Sequence, residues 1–524
     1  MRCFFILYVN FNQLIMTIIR GRIAAVLKYV LLAIALSLLS LLAQSAFAQQ
    51  EFGIAFFIVI AIAVIAYTYV RKRFSPLKFM VPGLILLTAF VVSPILYTVS
   101  MSTYNYKTGN IISKTEAIEK IKVLGVTPDS NNTTFDILLG TYQGKQAILA
   151  TDSFNQKFYI STPDRLVRLN KNQVQLSPDG VPLGARGFKS AENDVTAANE
   201  SISTKYYFDG DYFIQVENLT TGIVVKQNLI FDKAADAFRN VTTGVVYKDN
   251  GVGNYANPND RQDFLEPGWR APIWFKNFES LFKDERVRNP LWSVTIWTFA
   301  FASITVLTQF AFGLLLALAL NRKIFGRRIY RSILILPYAM PSIMSILIWG
   351  GMFDTEFGAI NALFNTNIAW LLDSNFARFA VILVNLWLGF PYFYLVSSGA
   401  LQAIPAELSE AAAIDGANSR QIFGKITLPL LLQILSPLLI SSFAFNFNNF
   451  NLIYLLTGGG PRDTLSGEIA GSTDILISYT YQIAFGSNVQ DLGLASAISF
   501  IIFLIVASVS LYGLKRSKVM ENFT

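Results

Sequence analysis

The chain has 524 residues, of which 53% are apolar and 15% are charged, and its mean hydropathy is +0.45. This composition is typical of a polytopic membrane protein and excludes a water-soluble fold. There is no histidine and a single cysteine, Cys3, which excludes an intrachain disulfide, a histidine-ligated metal or haem, and a histidine general base. We therefore predict no catalytic residue, no metal site and no cofactor.

Eight apolar stretches are long enough to cross about 30 Å of hydrocarbon. They lie near residues 23–47, 53–70, 79–101, 291–320, 332–352, 377–400, 429–457 and 492–514. The pattern predicts an all-α polytopic membrane protein with eight transmembrane helices, three before residue 102 and five after residue 285. We divide the chain into an N-terminal tail (1–22), helices 1–3 (23–101), an extracytoplasmic domain (102–285) and a core with helices 4–8 (286–524).

The start of the chain leaves two alternatives open. The first span ends in Ala46-Phe47-Ala48-Gln49, an A-x-A pattern that also occurs at signal-peptide cleavage sites. Cleavage after Ala48 would leave seven spans, and we favour an uncleaved helix. Met16, just ahead of Arg20, is an alternative start to Met1.

Basic residues in the short loops predict the orientation, because cytoplasmic loops carry the excess of lysine and arginine. With eight spans, four basic groups fall on one side: Arg20, Arg22 and Lys28; Arg71, Lys72, Arg73 and Lys78; Arg322, Lys323, Arg327, Arg328 and Arg331; and Lys515, Arg516 and Lys518. Both termini are therefore predicted to be cytoplasmic, in a bacterial inner membrane. We interpret the net charge of +8 as the result of basic residues that set the membrane topology and are attracted to the lipid bilayer, and not as a sign of nucleic-acid binding.

Residues 102–285 are polar and numerous enough for an independent extracytoplasmic domain. Aromatic and β-branched runs separated by turn residues predict a β-rich, sandwich-like fold. These runs are Phe135–Leu139, Tyr206–Phe208, Tyr212–Val216 and Ile223–Val225. The segment from Tyr207 to Tyr212, with Asp-Gly at its centre, predicts a tight hairpin.

A short segment between the sixth and seventh spans has an unusual pattern of small residues. It reads Glu410-Ala411-Ala412-Ala413-Ile414-Asp415-Gly416, followed after nine residues by Ile426-Thr427-Leu428-Pro429. The alanines allow a partner backbone to approach closely, and Gly416 supplies a turn. We predict a cytoplasmic helix-turn-helix over residues 401–428 that docks on a partner protein; an ordinary Ala-rich loop helix is the alternative.

The seventh span contains four asparagines within six residues, at 446, 448, 449 and 451. Amides at membrane depth must face a partner or a water-filled cavity. Ser442, Phe445, Asn446 and Asn449 follow helical spacing, which predicts one polar stripe on a single helical face. Such a stripe is either a ligand-binding surface, which we favour because the asparagines alternate with phenylalanines, or polar contact between packed helices.

The sixth span offers a second wall for the same site, in the run Trp387-Leu388-Gly389-Phe390-Pro391-Tyr392. We predict that Pro391 kinks or opens this helix, that Leu388 and Tyr392 share one face, and that Gly389 permits close backbone approach. Aromatic rings beside neutral amides and hydroxyls suit a neutral sugar.

The energy source is predicted to lie outside this chain. The spans carry no charged residue except near their ends, as at Lys28 and Arg378, whereas ion-coupled carriers keep such groups in their pathway. The glycine-containing segment from Gly184 to Ser190 lacks the Gly-Lys-Ser/Thr ending of a phosphate-binding loop. We therefore predict that this chain does not hydrolyse ATP itself.

These motifs together resemble those of the MalF-type permease subunits of ABC importers for maltose and maltodextrins. The docking segment meets the EAA-x3-G-x9-I-x-LP pattern of such permeases at every fixed position. Further resemblance lies in residues 336–339, 387–389, 442–450 and 457–461, within the stretch 286–524; over the N-terminal tail and the large loop the match is weak.

The resemblance implies a type I ABC importer core. It also implies a second, MalG-type permease, two MalK-type ATPase subunits and a periplasmic maltose-binding protein as partners. The sugar contacts that it implies are Leu388, Gly389, Tyr392, Ser442, Phe445, Asn446 and Asn449. It further implies that one loop couples this chain to the ATPase. The residues of this loop are Glu410, Ala411, Ala412, Asp415, Gly416, Ile426, Leu428 and Pro429.

Two other functions stay open at this point. A permease for another neutral oligosaccharide or a sugar alcohol would have the same sequence features. A membrane receptor with a periplasmic sensor would need a cytoplasmic output domain, whereas the longest cytoplasmic segment predicted here is the docking loop.

Overall fold

The computed structural model describes residues 22–48, 52–70, 75–152, 155–178, 182–191, 204–321, 325–462, 469–486 and 490–516. Met16, Arg20, the loop residues 49–51 and 71–73, and the basic residues at 322, 323 and 518 lie outside this part of the chain. The chain separates into two compact units, one ending at Val99 and the other beginning at Ser100.

The first unit is helical. Its helices are α1 (Arg22–Ala48), α2 (Phe52–Val70), α3 (Ser75–Leu87) and α4 (Ser93–Met101), the last two being joined by a π-helical turn at Thr88–Val92. Near the start of α1, Lys28 Nζ donates a hydrogen bond to the carbonyl of Tyr69, 2.7 Å away at the end of α2. This bond places a cation on a free helix C-terminal carbonyl, where it is favoured.

The second unit contains the remaining helices. They are α5 (Lys114–Leu124), α6 (Lys276–Lys283), α7 (Glu285–Asn321), α8 (Arg327–Ala339), α9 (Ser342–Met352), α10 (Ala359–Phe364), α11 (Ser374–Ala403), α12 (Ala406–Ile414), α13 (Ser419–Ile422), α14 (Leu428–Phe447), α15 (Phe450–Leu456), α16 (Leu476–Phe485) and α17 (Leu492–Arg516). Buried apolar clusters join α7, α11 and α14–α17 into one bundle, with Phe301, Val384, Phe447 and Ile498 among their members.

The helices agree with the predicted membrane architecture. Six helical segments in the described residues are long and apolar enough to cross a membrane, the bent pair α8–α9 forms a seventh candidate, and α2 is a shorter apolar helix. Each of the eight predicted stretches coincides with one of these. The structure therefore confirms a helical membrane protein with a large inserted β-rich region.

Three details differ from the prediction. The fifth predicted span is bent by 92° between α8 and α9, where Pro341 provides no backbone N–H to continue the ladder. The seventh ends as a helix at Phe447 and resumes at Phe450. Of the two outcomes predicted at Pro391, an opening of the helix is wrong, because α11 runs unbroken through this residue, and a kink stays a prediction.

Tight packing of α7 on α11 explains why α11 stays intact. A Cβ atom at Gly313 of α7 would lie 2.7 Å from both the Cβ of Phe393 and the backbone nitrogen of Tyr394. The two helices thus approach closely at the turn that contains Pro391, whose own side chain is buried. Neighbouring helices that hold a proline-containing turn in this way allow it to remain helical.

The inserted region consists mainly of β-strands. They are β1 (Tyr104–Asn105), β2 (Val126–Pro128), β3 (Thr134–Tyr142), β4 (Lys145–Asp152), β5 (Lys157–Ser161), β6 (Leu166–Leu169), β7 (Val174–Leu176), β8 (Pro182–Ala185), β9 (Phe188–Ser190), β10 (Lys205–Asp209), β11 (Tyr212–Val216), β12 (Thr221–Gln227), β13 (Leu229–Asp232), β14 (Ala237–Asn240), β15 (Val246–Asp249), β16 (Tyr255–Asn257), β17 (Asp260–Phe264) and β18 (Ala271–Pro272). All four predicted runs are strands.

The described strands form two large antiparallel sheets and two small ones. The larger sheet has the order β10-β11-β12-β3-β4-β5-β6, with β2 and β9 paired beside it, and the second has the order β13-β14-β15-β16-β17. The larger sheet curls, because the backbone N–H of Tyr207 in β10 donates to the carbonyl of Thr162, just after β5. The predicted sandwich-like packing therefore takes the form of a curled sheet around its own apolar cluster, which includes Phe135, Ile148 and Ile214.

The predicted hairpin joins β10 and β11. Asp209 pairs with Tyr212, and Gly210 in the turn has a φ of +55°. A left-handed backbone at this position favours glycine, which is why the Asp-Gly pair indicated the turn correctly.

The β-rich region is joined to the helical bundle at its base. Strand β1 pairs with β18, and Asn277 of α6 donates through Nδ2 to the carbonyls of Ser102 and Tyr104, at 2.8 and 3.0 Å. The backbone N–H of Gly493 in α17 donates to the carbonyl of Tyr106 at 3.0 Å. The N-terminal end of the insertion is thus hydrogen-bonded to α6 and α17, and its C-terminal strand β18 is held through β1.

We predict that Gly140→Ala destabilises the larger sheet. A Cβ atom there would lie 2.2 Å from the carbonyl oxygen of Lys189 and 2.5 Å from the ring of Phe188. Such overpacking costs about 1–3 kcal/mol. The temperature at which a protease cleaves residues 104–272 in the full chain measures the effect.

Gly184→Ala is the matched control, because a Cβ atom there meets only the side-chain oxygen of Gln175 at 3.7 Å. The prediction fails if both variants show the same cleavage temperature as the wild type.

Candidate functional site

A cavity of about 540 Å³ lies within the helical bundle of the second unit. Its walls come from α7, from the bend between α8 and α9, from α11, and from the break between α14 and α15. All seven predicted site residues line it, together with Gln309, Pro337, Tyr338, Met340, Ser342, Ile346, Asn385, Leu438, Ser441, Asn451 and Leu452. The structure thus brings two separate sequence motifs, 388–392 and 442–449, to one cavity.

A chain of buried amides crosses one wall of this cavity. Gln309 Nε2 of α7 donates to the backbone carbonyl of Asn385 of α11 at 2.6 Å, and Asn385 Nδ2 donates to Asn446 Oδ1 of α14 at 2.7 Å. Asn446 Nδ2 in turn donates to the carbonyl of Ser442 at 2.9 Å. Gln309, Asn385 and Asn446 are all at most 3% exposed. These bonds satisfy amides that would otherwise be costly to bury.

The amide chain leaves Asn446 with unused hydrogen-bonding capacity. A carboxamide has two N–H donors and two lone pairs on its oxygen. In Asn446 the described partners use one lone pair, and its amide nitrogen donates to the carbonyl of Ser442 at 2.9 Å and to Ser442 Oγ at 3.4 Å; the residue lines the cavity. Its neighbours therefore fix the orientation of the side chain, and the second lone pair of Oδ1 has no partner among the described hydrogen bonds.

Asn449 reaches the cavity in a way that helical spacing did not predict. Helix α14 ends at Phe447, and Asn449 has φ −78° and ψ 68°, just before α15. Its expected place on the same helical face as Asn446 is therefore wrong, although its side chain still lines the cavity. Asn448 is exposed and donates to the carbonyl of Ala444 at 3.2 Å, away from the cavity lining.

Gly389 has a clear packing role. A Cβ atom on it would lie 2.0 Å from Gln309 Nε2. The absence of a side chain at position 389 thus provides the space for Gln309 to reach Asn385. This contact gives the predicted close approach a specific partner, a side chain of α7.

Among the described residues, the lining contains amides, hydroxyls and aromatic rings and no charged side chain. Phe445 is 70% exposed, so most of its ring is open to a ligand. In the described residues, no group of three or more His, Cys, Asp or Glu side chains is placed to hold a metal ion. The cavity can therefore hydrogen-bond and stack, but its lining offers nothing to neutralise a charged ligand.

Sequence reasoning missed Gln309 and Asn385, which line the cavity, and it placed Asn451 in the asparagine cluster without assigning it to the site. Gln309 and Asn385 are amides in apolar stretches of α7 and α11. An amide within a membrane span is itself a signal of a buried contact or a functional site. Attention to single amides, and not to clusters alone, would have identified them.

The predicted docking segment, residues 401–428, which we call the EAA segment, folds as two short helices on either side of a turn. Gly416 has a φ of +85°, and the backbone N–H of Ala417 donates to the carbonyl of Ala412 at 2.9 Å, which closes the end of α12. Asn418 then begins α13 through a capping box with Gln421, with bonds of 2.8 and 3.0 Å. The predicted helix-turn-helix is present, and Gly416 occupies the position that requires glycine.

The residues predicted to couple to an ATPase divide into an exposed group and a packed group. Glu410, Ala411, Asp415, Gly416 and Pro429 are exposed, whereas Ala412, Ile426 and Leu428 are half-buried. Leu428 packs against the apolar cluster that contains Leu431 and Leu435.

One exposed residue of α12 was not singled out from the sequence. Ile414 is 87% exposed although it is apolar. Single apolar side chains are common on protein surfaces, so Ile414 is of interest only because of its place in the EAA segment.

Comparison with known proteins agrees with this architecture. Residues 309–517 match the family described as binding-protein-dependent transport system inner membrane component, and residues 85–164 match the N-terminal part of the membrane subunit in PBP-dependent ABC transporters. The first match contains the cavity and the EAA segment.

Three relatives match along most of their length, and each is named maltose/maltodextrin transport system permease protein MalF. The chain is 36% identical to MalF of Vibrio vulnificus (strain YJ016), over 91% of this chain and 92% of the relative. It is 36% identical to MalF of Salmonella typhimurium (strain LT2), covering 90% and 93%, and 35% identical to MalF of Escherichia coli O157:H7, covering 94% and 96%. With this identity over nearly its full length, the chain belongs to the MalF family of binding-protein-dependent ABC transporter permeases.

Proposed function

We propose that this chain forms half of the translocation pathway for maltose and maltodextrins in an ATP-driven importer of the bacterial inner membrane. The observation that carries the proposal is the uncharged cavity lined by all seven predicted sugar-contact residues. The named activity of the MalF relatives supports the choice of sugar.

The chemistry of the cavity matches a sugar. A pyranose ring has apolar C–H faces and a rim of hydroxyls. Tyr392 and Phe445 pack on the ring faces, while Asn446, Asn449 and Ser442 exchange hydrogen bonds with the hydroxyls. Leu388 and Gly389 form the wall between the aromatic rings and the polar side chains. The backbone is accessible there because position 389 has no side chain.

Energy comes from partner subunits in this proposal. The exposed residues Glu410, Ala411 and Ile414 form the surface that contacts a MalK-type ATPase, and a complete importer contains two such subunits. A MalG-type permease supplies the other half of the pathway. The large extracytoplasmic region contacts a periplasmic maltose-binding protein.

The orientation follows from the basic loops. Both termini and the EAA segment are cytoplasmic, and the β-rich region is periplasmic. The described basic residues Lys78, Arg327, Arg328 and Arg331 then lie on the cytoplasmic side, in agreement with the positive-inside rule.

We predict that Asn449→Ala lowers the uptake of labelled maltose and maltotriose, because a sugar hydroxyl loses its partner. A lost hydrogen bond to a desolvated hydroxyl costs about 1–3 kcal/mol, or roughly one to two orders of magnitude in affinity. Asn446→Ala produces the same loss and also leaves the Asn385 amide without its acceptor. Uptake into vesicles that contain the partner subunits and the binding protein measures the effect.

Asn448→Ala is the control, because Asn448 is exposed and bonds only to its own helix among the described contacts. The site assignment is wrong if Asn448→Ala abolishes uptake while Asn446→Ala and Asn449→Ala, at equal expression, transport normally. Wild-type vesicles that take up sucrose or glycerol phosphate but not maltose would contradict the proposed substrate.

We predict that Gly416→Leu uncouples ATP hydrolysis from transport. A left-handed backbone costs a residue other than glycine about 1–2 kcal/mol, so the turn between α12 and α13 would shift. The sugar-stimulated ATPase rate and the uptake rate of the assembled complex measure the effect, and Glu410→Lys tests the charge at the same surface.

Gly399→Leu is the matched control for bulk, because a Cβ atom at this exposed position of α11 meets nothing within 4 Å and its φ is not positive. Wild-type rates of both activities in Gly416→Leu would exclude the segment as the coupling element.

We predict the topology from reporter fusions. Alkaline phosphatase fused after Asp209 is expected to be active, because only a periplasmic reporter is oxidised and folds, and fusion after Asp415 is expected to be inactive. The reverse pattern would contradict the proposed orientation of the whole chain.

A further inference from the structure

The amides of Gln309, Asn385 and Asn446 form a chain, the amide chain, in which every nitrogen is directed at the next residue. Gln309 Nε2 donates to the backbone carbonyl of Asn385 at 2.6 Å and more weakly to Asn385 Oδ1 at 3.4 Å. Asn385 Nδ2 donates to Asn446 Oδ1, and Asn446 Nδ2 donates to the carbonyl of Ser442. The amide chain therefore has one direction, from α7 through α11 to α14.

Backbone carbonyls fix this direction at both ends. A carbonyl oxygen only accepts hydrogen bonds, so an amide that faces it must present its nitrogen. The carbonyl of Asn385 thus fixes Gln309, and the carbonyl of Ser442, 2.9 Å from Asn446 Nδ2, fixes Asn446. Asn446 Oδ1 then faces α11, where Asn385 meets it with a donor at 2.7 Å. None of the three amides can turn over without losing a hydrogen bond.

This orientation determines which group of Asn446 remains for a ligand. The hydrogens of Nδ2 are directed to the carbonyl and to the Oγ of Ser442, at 2.9 and 3.4 Å. Oδ1 has two lone pairs, and Asn385 uses one of them. The remaining lone pair of Oδ1 can accept a hydrogen bond but cannot donate one. Asn446 therefore suits a ligand hydroxyl that donates its hydrogen.

The amide chain also supports Asn449, the second asparagine of the predicted site. The backbone N–H of Asn449 donates to the carbonyl of Asn446 at 3.2 Å. Helix α14 ends at Phe447, and the carbonyls of a last helical turn have no regular helical partner. The side-chain bond from Asn385 to Asn446 therefore adds a restraint where the helix itself provides fewer.

We propose that Gln309 and Asn385 are positioning residues for sugar recognition, which hold Asn446 so that Oδ1 accepts a hydrogen bond from a sugar hydroxyl. This inference rests on the proposed sugar specificity of the cavity. Gln309 and Asn385 act through Asn446 in this role and not by touching the sugar, in keeping with an exposure of only 3% for each. Fluorine has no hydrogen to donate, so a sugar with fluorine in place of that hydroxyl loses the bond.

A double-mutant cycle tests this role in the complete importer, with its partner subunits and binding protein, in vesicles. Asn385→Leu removes the donor to Asn446 but keeps the backbone carbonyl that binds Gln309. We expect maltose uptake per assembled complex, at saturating binding protein, to fall about three- to tenfold in Asn385→Leu. In the Asn446→Ala background, the same change is expected to have less than about a twofold effect, because no carboxamide is left to hold. Gln309→Met repeats the cycle from the other end of the amide chain.

Asn361→Leu is the matched control, because Asn361 is a buried amide of α10, also 3% exposed, that bonds to Ile368 and Trp370 and not to the amide chain. Its effect on uptake is expected to be the same factor in both backgrounds. If Asn385→Leu also lowers uptake by one factor in both backgrounds, the proposal is overturned, and Asn385 is a packing residue or a separate sugar contact. Wild-type uptake in both Asn385→Leu and Gln309→Met overturns it as well.

Maltose analogues with one hydroxyl replaced by fluorine test the donor requirement. The ratio of each analogue to maltose is compared between the wild type and Asn446→Ala, so that recognition by the shared binding protein cancels. We expect one analogue to be disfavoured about tenfold more by the wild type than by Asn446→Ala. Equal ratios for every analogue would overturn the role of Oδ1 as an acceptor. Failure of the wild type to take up maltose itself would instead contradict the proposed function.

Discussion

The hydrogen-bonded chain from Gln309 through Asn385 to Asn446 is the interaction on which the site depends. It joins α7, α11 and α14, three helices whose other contacts are largely apolar. Apolar packing between helices is tolerant of small shifts, whereas a bond of 2.7 Å between two buried amides fixes distance and orientation. The hydrogen-bonded chain of amides can form because Gly389 has no side chain. The cavity wall thus contains polar groups that are hydrogen-bonded to one another.

Breaks in the helices create the space that this wall encloses. The bend between α8 and α9 contributes Pro337, Tyr338 and Met340 to the cavity lining, and the break after Phe447 contributes Asn449 and Asn451. Each break frees backbone groups, which can be satisfied at membrane depth only within protein or beside a water-filled space. Irregular backbone at these positions is therefore consistent with a polar pathway.

Much of this arrangement could be predicted from the sequence, and the failures have physical causes. The EAA segment was predicted well because Gly416 and the alanines act locally. The asparagine cluster was recognised, but the prediction assumed one continuous helix and therefore misplaced Asn449. The local sequence contains no signal that α14 ends at Phe447. At Pro391 the error was the reverse: an opening of the helix was predicted, but packing of α7 around Gly313 keeps α11 intact. Tertiary contacts decided both cases, and a sequence pattern does not contain them.

A single helix connects the two functional elements. Helix α14 starts at Leu428, the last part of the EAA pattern, and carries Ser442, Phe445 and Asn446 at its other end. Its 20 residues correspond to about 30 Å. An unbroken helix transmits displacement over that length with little loss, and Leu428 packs against the cluster around Leu431 and Leu435. Movement at the EAA segment would therefore reach the amide chain directly, through Asn446. The bond from Asn385 to Asn446 also ties α11 to this end of α14, so a displacement of α14 would act on both cavity walls.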